Sequence, residues 1–154
     1  MSTQALSDHE FQILKDTWGN VEKRMKLDGT RIFVRLFQRH PDYKKFFPDF
    51  DQFSLEELKT NSRLRSHVLR ITTALNILLY STADSHALDV ATRAIVNTHH
   101  FRGVRREHFQ HFNEVFQEYI HFVVRTEEAR SVWSKAMNLL IWGMTYDDSK
   151  KQLY

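Results

Sequence analysis

Apolar residues recur at intervals of three and four along most of the chain, and this spacing is the feature that most restricts its fold. Residues at these intervals share one face of an α-helix, whereas a half-buried strand needs an alternation of period two, which the chain does not show. Only 4 Gly and 2 Pro occur in 154 residues, which suits long helices and few turns. The pattern predicts an all-α fold in one domain over residues 1–154, with a core from about 6 to 146 and a polar tail at 147–154 that frays.

Capping residues and prolines predict where the helices begin and end. Ser7 and Ser54 each stand three residues before a glutamate, the pattern of a capping box at a helix start. A second helix from about 28 to 39 should end at His40-Pro41, because the residue before proline is pushed out of the helical region, and Pro41 then suits the first turn of a short third helix. Further helices are expected from Ser54 to Tyr80, from Asp84 to a point before Gly103, along Phe109, Phe112, Phe116 and Tyr119, and from Thr126 onward.

The composition excludes several classes of function. The chain has no cysteine, so disulfides, thiolate metal sites and thiol nucleophiles are ruled out. No apolar run approaches the roughly 18 residues of a membrane span, and the polar start carries no apolar signal segment, so we expect a cytoplasmic protein that binds no membrane. The net charge of +3 is mildly basic and does not by itself imply nucleic acid.

Two of the 9 histidines stand on apolar helix faces. His67 follows Leu64 by three residues, and His99 follows Ile95 by four at the end of another apolar stripe, whereas His100 shares a mixed face. One such histidine alone is most often a core residue with a hydrogen-bond partner, but two on neighbouring helices favour metal coordination. Zinc is not expected, because no cysteine or carboxylate accompanies them. Two histidines among many aromatic residues favour a haem, whose porphyrin supplies the other four ligands of the iron.

The chain resembles the globin family over about residues 6–146. Four features carry the resemblance. Residues 32–37, followed by His40-Pro41, resemble the second and third helices of the family, and Phe47, six residues after Pro41, matches the phenylalanine that stacks on the haem. Residues 64–75 resemble the distal helix, and residues 97–104 resemble the proximal helix and its exit. Trp18 also matches the tryptophan common in the first helix, and Gly29 matches a small residue at a close helix crossing. The resemblance implies about eight helices packed around a haem pocket.

The resemblance also implies roles for individual residues. His99 matches the proximal ligand of the iron in haem b (iron protoporphyrin IX), and His67 matches the distal histidine. Thr98 could accept the second N–H of His99, although it could equally bond its own helix backbone. Arg70 could meet a haem propionate, although a solvated charge is the more common role for such a residue. The side chains expected to line the pocket, each of which could also be plain core, are Phe33, Phe47, Ile71, Ile95, Val104 and Phe109.

Three functions follow as alternatives. The first is reversible binding of O₂, CO or NO. Within the family the chain is most similar to neuroglobin-type proteins, which often bind iron through both histidines when no gas is present. The second is haem redox chemistry, such as nitric oxide dioxygenation or nitrite reduction with a reductase or another electron donor, although no second acid–base residue set supports tuned peroxidase chemistry. The third is a basic helical interaction module without haem, built on Arg102, Arg105 and Arg106; such runs are usually solvated, and nucleic acid is not expected.

Overall fold

Helices account for nearly all of residues 5–144, which are the residues that the computed structural model describes. The α-helices are α1 (Asp8–Asp28), α2 (Thr30–Arg39), α3 (Leu55–Leu58), α4 (Ser62–Ser81), α5 (Ser85–His100), α6 (Arg106–Val123) and α7 (Glu127–Gly143), with 3₁₀ helices at Pro41–Phe46 and Pro48–Phe50. No strand occurs within this range, so the all-α prediction is confirmed. The predicted tail at 147–154 lies outside the described residues.

Most helix ends use the residues that the sequence marks for them. At the start of α1, the Ser7 hydroxyl accepts from the Glu10 N–H at 3.1 Å and the Glu10 carboxylate accepts from the Ser7 N–H at 2.9 Å, which satisfies two backbone donors that a helix start otherwise leaves unpaired. Gly103 follows α5 with a φ of +82°, a conformation that favours glycine. The predicted starts near Ser7, Asp84 and Thr126 and the predicted stops at Pro41 and Gly103 are all confirmed.

The long helix expected from Ser54 to Tyr80 is wrong, because the chain breaks it after one turn. The capping box at Ser54 does start a helix, α3, but α3 ends at Leu58 and α4 begins at Ser62. The Asn61 side chain accepts from two backbone N–H groups at the start of α4, both at 3.0 Å. A side chain that caps in this way favours a new helix start over continuation of the old one.

The second helix begins two residues later than expected, at Thr30, because α1 continues through Asp28. The N–H of Gly29 still donates to the Met25 carbonyl at 2.9 Å, as in one more turn of α1. Gly29 is buried, and a Cβ there would lie 2.5 Å from the Val68 Cγ1 on α4. Only a residue without a side chain allows α4 to approach this closely, which agrees with the small residue expected at this crossing.

The core lies where α1, α6 and α7 meet. The rings of Trp133 and Phe116 are completely buried and lie 6.2 Å apart. The indole N–H of Trp133 donates to the Thr17 hydroxyl, and that of Trp18 donates to the Asn76 side chain, both at 2.8 Å. These bonds satisfy the one polar atom that each buried indole carries. None of the helices within residues 5–144 is long and apolar enough to cross a membrane.

Candidate functional site

His67 and His99 lie on neighbouring helices that pack against each other, α4 and α5. His67 is half-buried. Its ring stands edge-on to Phe33, with ring centres 5.3 Å apart, and to Phe47, with ring centres 5.1 Å apart. The phenyl rings come from α2 and from the segment between the two 3₁₀ helices, so three parts of the chain fix the position of this imidazole.

Burial lowers the pKa of the His67 imidazole from its ordinary 6.5 to about 4. The positive charges of Arg70, His99 and Arg102 add smaller effects in the same direction. His67 is therefore neutral near pH 7, which leaves one of its ring nitrogens with a lone pair.

His99 is held in an orientation that suits a metal ligand. Its Nδ1 lies 2.7 Å from the Ile95 carbonyl and 3.0 Å from the Thr98 hydroxyl, which itself donates to the Ile95 carbonyl. Nδ1 therefore carries the proton and donates to the carbonyl, which leaves the lone pair on Nε2. Burial lowers the pKa of His99, the bond to Ile95 opposes this, and the charge of Arg102 adds to it. The ring stands edge-on to Phe109 at 5.4 Å.

Aromatic rings surround the His67 side of the site. Phe33 is buried and lies 5.7 Å from Phe47 and 5.6 Å from Phe112, while Phe47 also lies 5.7 Å from Phe37. Phe47, Phe109 and Phe112 are only half-buried although they are apolar. Partial exposure of large apolar rings beside a histidine is expected where a pocket wall covers an apolar ligand.

The other predicted lining residues are less closely connected to the histidines. Ile71, Ile95 and Val104 are all half-buried, as a pocket wall requires. The N–H of Val104 donates to the His99 carbonyl at 3.3 Å, which places Val104 beside the end of α5. Arg70 is exposed, and its charge acts on His67 from the surface.

Two residues of this site were not among the predicted site residues. Arg102 donates from its Nη1 to the Thr98 carbonyl at 2.6 Å, and its charge lowers the pKa of both His67 and His99. Phe112 contacts Phe33, although its position in the aromatic stripe of α6 indicates only a core residue. The position of Arg102 three residues after His99 could have identified it as a neighbour of that histidine.

These residues fit a haem. The orientation of His99 leaves Nε2 to bind an iron atom, and neutral His67 supplies a second imidazole from the neighbouring helix α4. The exposed guanidinium of Arg70, with that of Arg102, provides positive charge for carboxylate groups at the edge of such a ligand. Within the described part of the chain, no group of three or more His, Asp or Glu side chains could hold a metal ion. An iron here would therefore need the ligands that a porphyrin carries.

Comparisons with known proteins agree with this geometry. The profile of the family described as Globin matches residues 30–144. Cytoglobin-2 of Danio rerio is 29% identical over 147 residues, which cover 92% of this chain and 82% of the relative.

Solved structures give the same result. Ferric myoglobin of Aplysia limacina, solved in different liganded states, superposes with a TM-score of 0.79 at 26% identity and covers 91% of this chain and 97% of its own. A hexa-coordinate haemoglobin of Drosophila melanogaster, studied for cyanide binding, superposes with a TM-score of 0.82 at 24% identity and covers 93% of this chain and 97% of its own. The likeness at 24% identity concerns the fold alone.

Proposed function

The chain belongs to the globin family, and on that premise we propose that it binds haem b and takes up a diatomic gas such as O₂, CO or NO. The observation that carries the proposal is the orientation of His99, whose Nδ1–H is committed to the Ile95 carbonyl at 2.7 Å. A histidine that binds iron needs such a partner to fix its tautomer and ring angle. A bound haem would supply an iron atom to which the Nε2 of His99 could bind, and the His67 imidazole could bind the same iron.

The side chains of the pocket would divide the work of holding the haem. The half-buried rings of Phe47 and Phe109 and the side chains of Ile71, Ile95 and Val104 would cover its apolar faces. Burial of apolar surface contributes most of the affinity, at about 25 cal/mol per Å². Arg70 would pair with a propionate at the surface, where such a pair contributes less than about 1 kcal/mol.

We propose that His67 binds the iron whenever no gas occupies the pocket. The support is its neutral state and its position between two phenylalanine rings, Phe33 and Phe47. A gas then binds only to the fraction of molecules from which His67 has withdrawn, so the apparent affinity falls by that fraction. Once displaced, the imidazole N–H can donate to a ligand in the pocket.

Absorption spectra of the ferric, ferrous and CO forms test this function. We expect a strong violet band in all forms and sharp paired visible bands in the ferrous form, because both histidines bind the iron. His67→Leu should keep the violet band and give one broad visible band in the ferrous form, while His100→Leu should behave as the unchanged protein. Protein without the violet band would refute haem binding. One broad ferrous band in the unchanged protein would refute iron binding by His67, but it would leave haem binding through His99 standing.

A further inference from the structure

A second cluster of titratable rings lies between the 3₁₀ helix Pro41–Phe46 and α6. Tyr43 is only 7% exposed, and its hydroxyl lies 2.5 Å from the Nδ1 of His111. Within residues 5–144 this is the one hydrogen bond of the hydroxyl. The His111 tautomer that carries its proton on Nε2 leaves the lone pair on Nδ1, so in this tautomer the Tyr43 hydroxyl donates and His111 accepts.

Neighbouring rings hold this pair in place. His40 is stacked on Tyr43, with ring centres 4.6 Å apart, and on His111, with ring centres 4.3 Å apart. His108 stands edge-on to Tyr43 at 5.0 Å, and its Nδ1 accepts from the Arg105 N–H at 2.7 Å. The phenol and its acceptor are therefore fixed before any reaction, which removes the cost of orienting them.

The surroundings keep the Tyr43 phenol protonated. Burial raises its pKa, and the negative charges of Glu107, Asp42 and Glu114 raise it further. A neutral phenol that loses an electron becomes a strong acid, so its oxidation is easy only where a base takes the proton at once. His111, at hydrogen-bond distance, is that base.

We propose that Tyr43 and His111 form a one-electron redox site. In the oxidation step, Tyr43 gives one electron to an oxidant of the class of nitrogen dioxide or a trivalent metal complex. The O–H bond of Tyr43 breaks, an N–H bond forms at His111 Nδ1, and the products are a neutral tyrosyl radical, an imidazolium and the reduced oxidant. A thiolate or ene-diolate anion returns the electron and becomes a neutral radical, and the imidazolium proton of His111 goes back to the phenolic oxygen of Tyr43. This function goes beyond gas binding and does not depend on it.

The position of the pair connects two parts of the molecule. The 3₁₀ helix that carries Tyr43 ends at Phe46, directly before Phe47 of the candidate haem pocket. At about 2.0 Å per residue, the four steps from Tyr43 to Phe47 span roughly 8 Å. On the other side, His111 lines a groove of about 440 Å³ between α6 and α7 that is open to solvent. The pair therefore lies between the candidate haem pocket and a groove that is open to solvent.

The test oxidises the purified full-length protein with photogenerated trivalent tris(bipyridine)ruthenium and measures the organic-radical signal by freeze-quench paramagnetic resonance. We expect a persistent signal that changes shape when the tyrosines are ring-deuterated. Tyr43→Phe should remove the persistent signal. Two control variants should keep it: Tyr80→Phe, whose ring is 54% exposed, and Tyr119→Phe, whose hydroxyl donates to the Asp28 carboxylate rather than to an imidazole.

A further variant tests the base. His111→Gln can still accept a hydrogen bond from Tyr43 but cannot take its proton, so radical formation should slow about 100-fold, as when a positioned general base is lost. Circular dichroism of each variant establishes that it is folded. The proposal is overturned if folded Tyr43→Phe keeps the persistent signal, or if His111→Gln forms the radical at the unchanged rate. Tyr43→Phe and His111→Gln leave both candidate iron ligands, His67 and His99, unchanged, so the comparison among these variants does not depend on whether His99 binds haem.

Discussion

Replacement of Gly29 by alanine tests the close helix crossing that positions α4 and its histidine. A Cβ at this position would lie 2.5 Å from Val68 Cγ1 and 2.6 Å from the Met25 carbonyl oxygen. Ordinary contacts between carbon atoms are about 3.5–4.0 Å. The Val68 Cγ1 atom, which belongs to the residue after His67 on α4, must therefore move by about 1 Å to relieve the first contact.

The expected loss follows from these distances. Overpacking of a rigid core costs about 1–3 kcal/mol, and two contacts, one of them with backbone, place Gly29→Ala at about 3 kcal/mol within that range. Alanine returns up to about 1 kcal/mol by restricting the unfolded chain. The free energy of unfolding should therefore fall by about 2 kcal/mol, and the melting temperature should fall by about 4–8 °C for a chain of this size.

Urea unfolding measures the effect, and Gly19→Ala is the matched control. Gly19 lies in the middle of α1, is exposed and has nothing within 4 Å of a Cβ, so alanine there should stabilise the protein by about 0.5–1 kcal/mol. The double variant Gly29→Ala with Val68→Ala should show favourable coupling between the two sites. If Gly29→Ala is as stable as Gly19→Ala, α4 does not approach Gly29 as closely as described, and Gly29 does not position α4.

Three further substitutions test other parts of the structure. The bond to Lys135 and the capping bonds to Ser7 lower the pKa of Glu10 from 4.5 to about 2, so the stability that the Glu10 carboxylate contributes is present above pH 4.5 and is lost as the pH falls towards 2. Glu10→Gln should therefore lower the free energy of urea unfolding by about 1 kcal/mol at neutral pH. A loss of the same size near pH 2 would contradict this. Asn61→Ala removes the cap of α4 and should cost about 1 kcal/mol in the same assay, whereas no loss would mean that α3 and α4 can join. Thr98→Val should leave haem retention nearly unchanged, because the backbone carbonyl is the nearer partner of the His99 Nδ1–H; a large increase in the rate of haem loss would show that the hydroxyl matters.

The helices could be predicted from the sequence wherever a local signal sets their ends. The capping box at Ser7 and the dipeptide His40-Pro41 act within a few residues, so periodicity and capping suffice. The apolar spacing gives no sign of the break between α3 and α4, because the pattern that predicts the long helix begins only at Leu64, beyond the break. The break is set instead by Asn61, whose side chain accepts from two backbone N–H groups in the first turn of α4.

The site could be predicted in part. Helical spacing identifies His67 and His99 as residues of apolar faces, and the structure places both in half-buried positions beside phenylalanine rings. Contacts between distant parts of the chain carry no such signal. Tyr43 and His111 are 68 residues apart and form their hydrogen bond only because α2 and the 3₁₀ helix after it pack near α6.

The haem content of two neighbouring variants, His99→Ala and His100→Ala, tests most directly whether His99 holds the cofactor. His99 directs its Nδ1–H to the Ile95 carbonyl, whereas His100 lies beside the Arg105 guanidinium with 3.3 Å between the nitrogen atoms. Purified side by side, His100→Ala should carry as much haem as the unchanged protein, with the same spectra. His99→Ala should lose most of its haem, because the iron loses its protein ligand on that side. Full haem content with unchanged ferrous spectra in His99→Ala would contradict the assignment of His99 as the iron ligand.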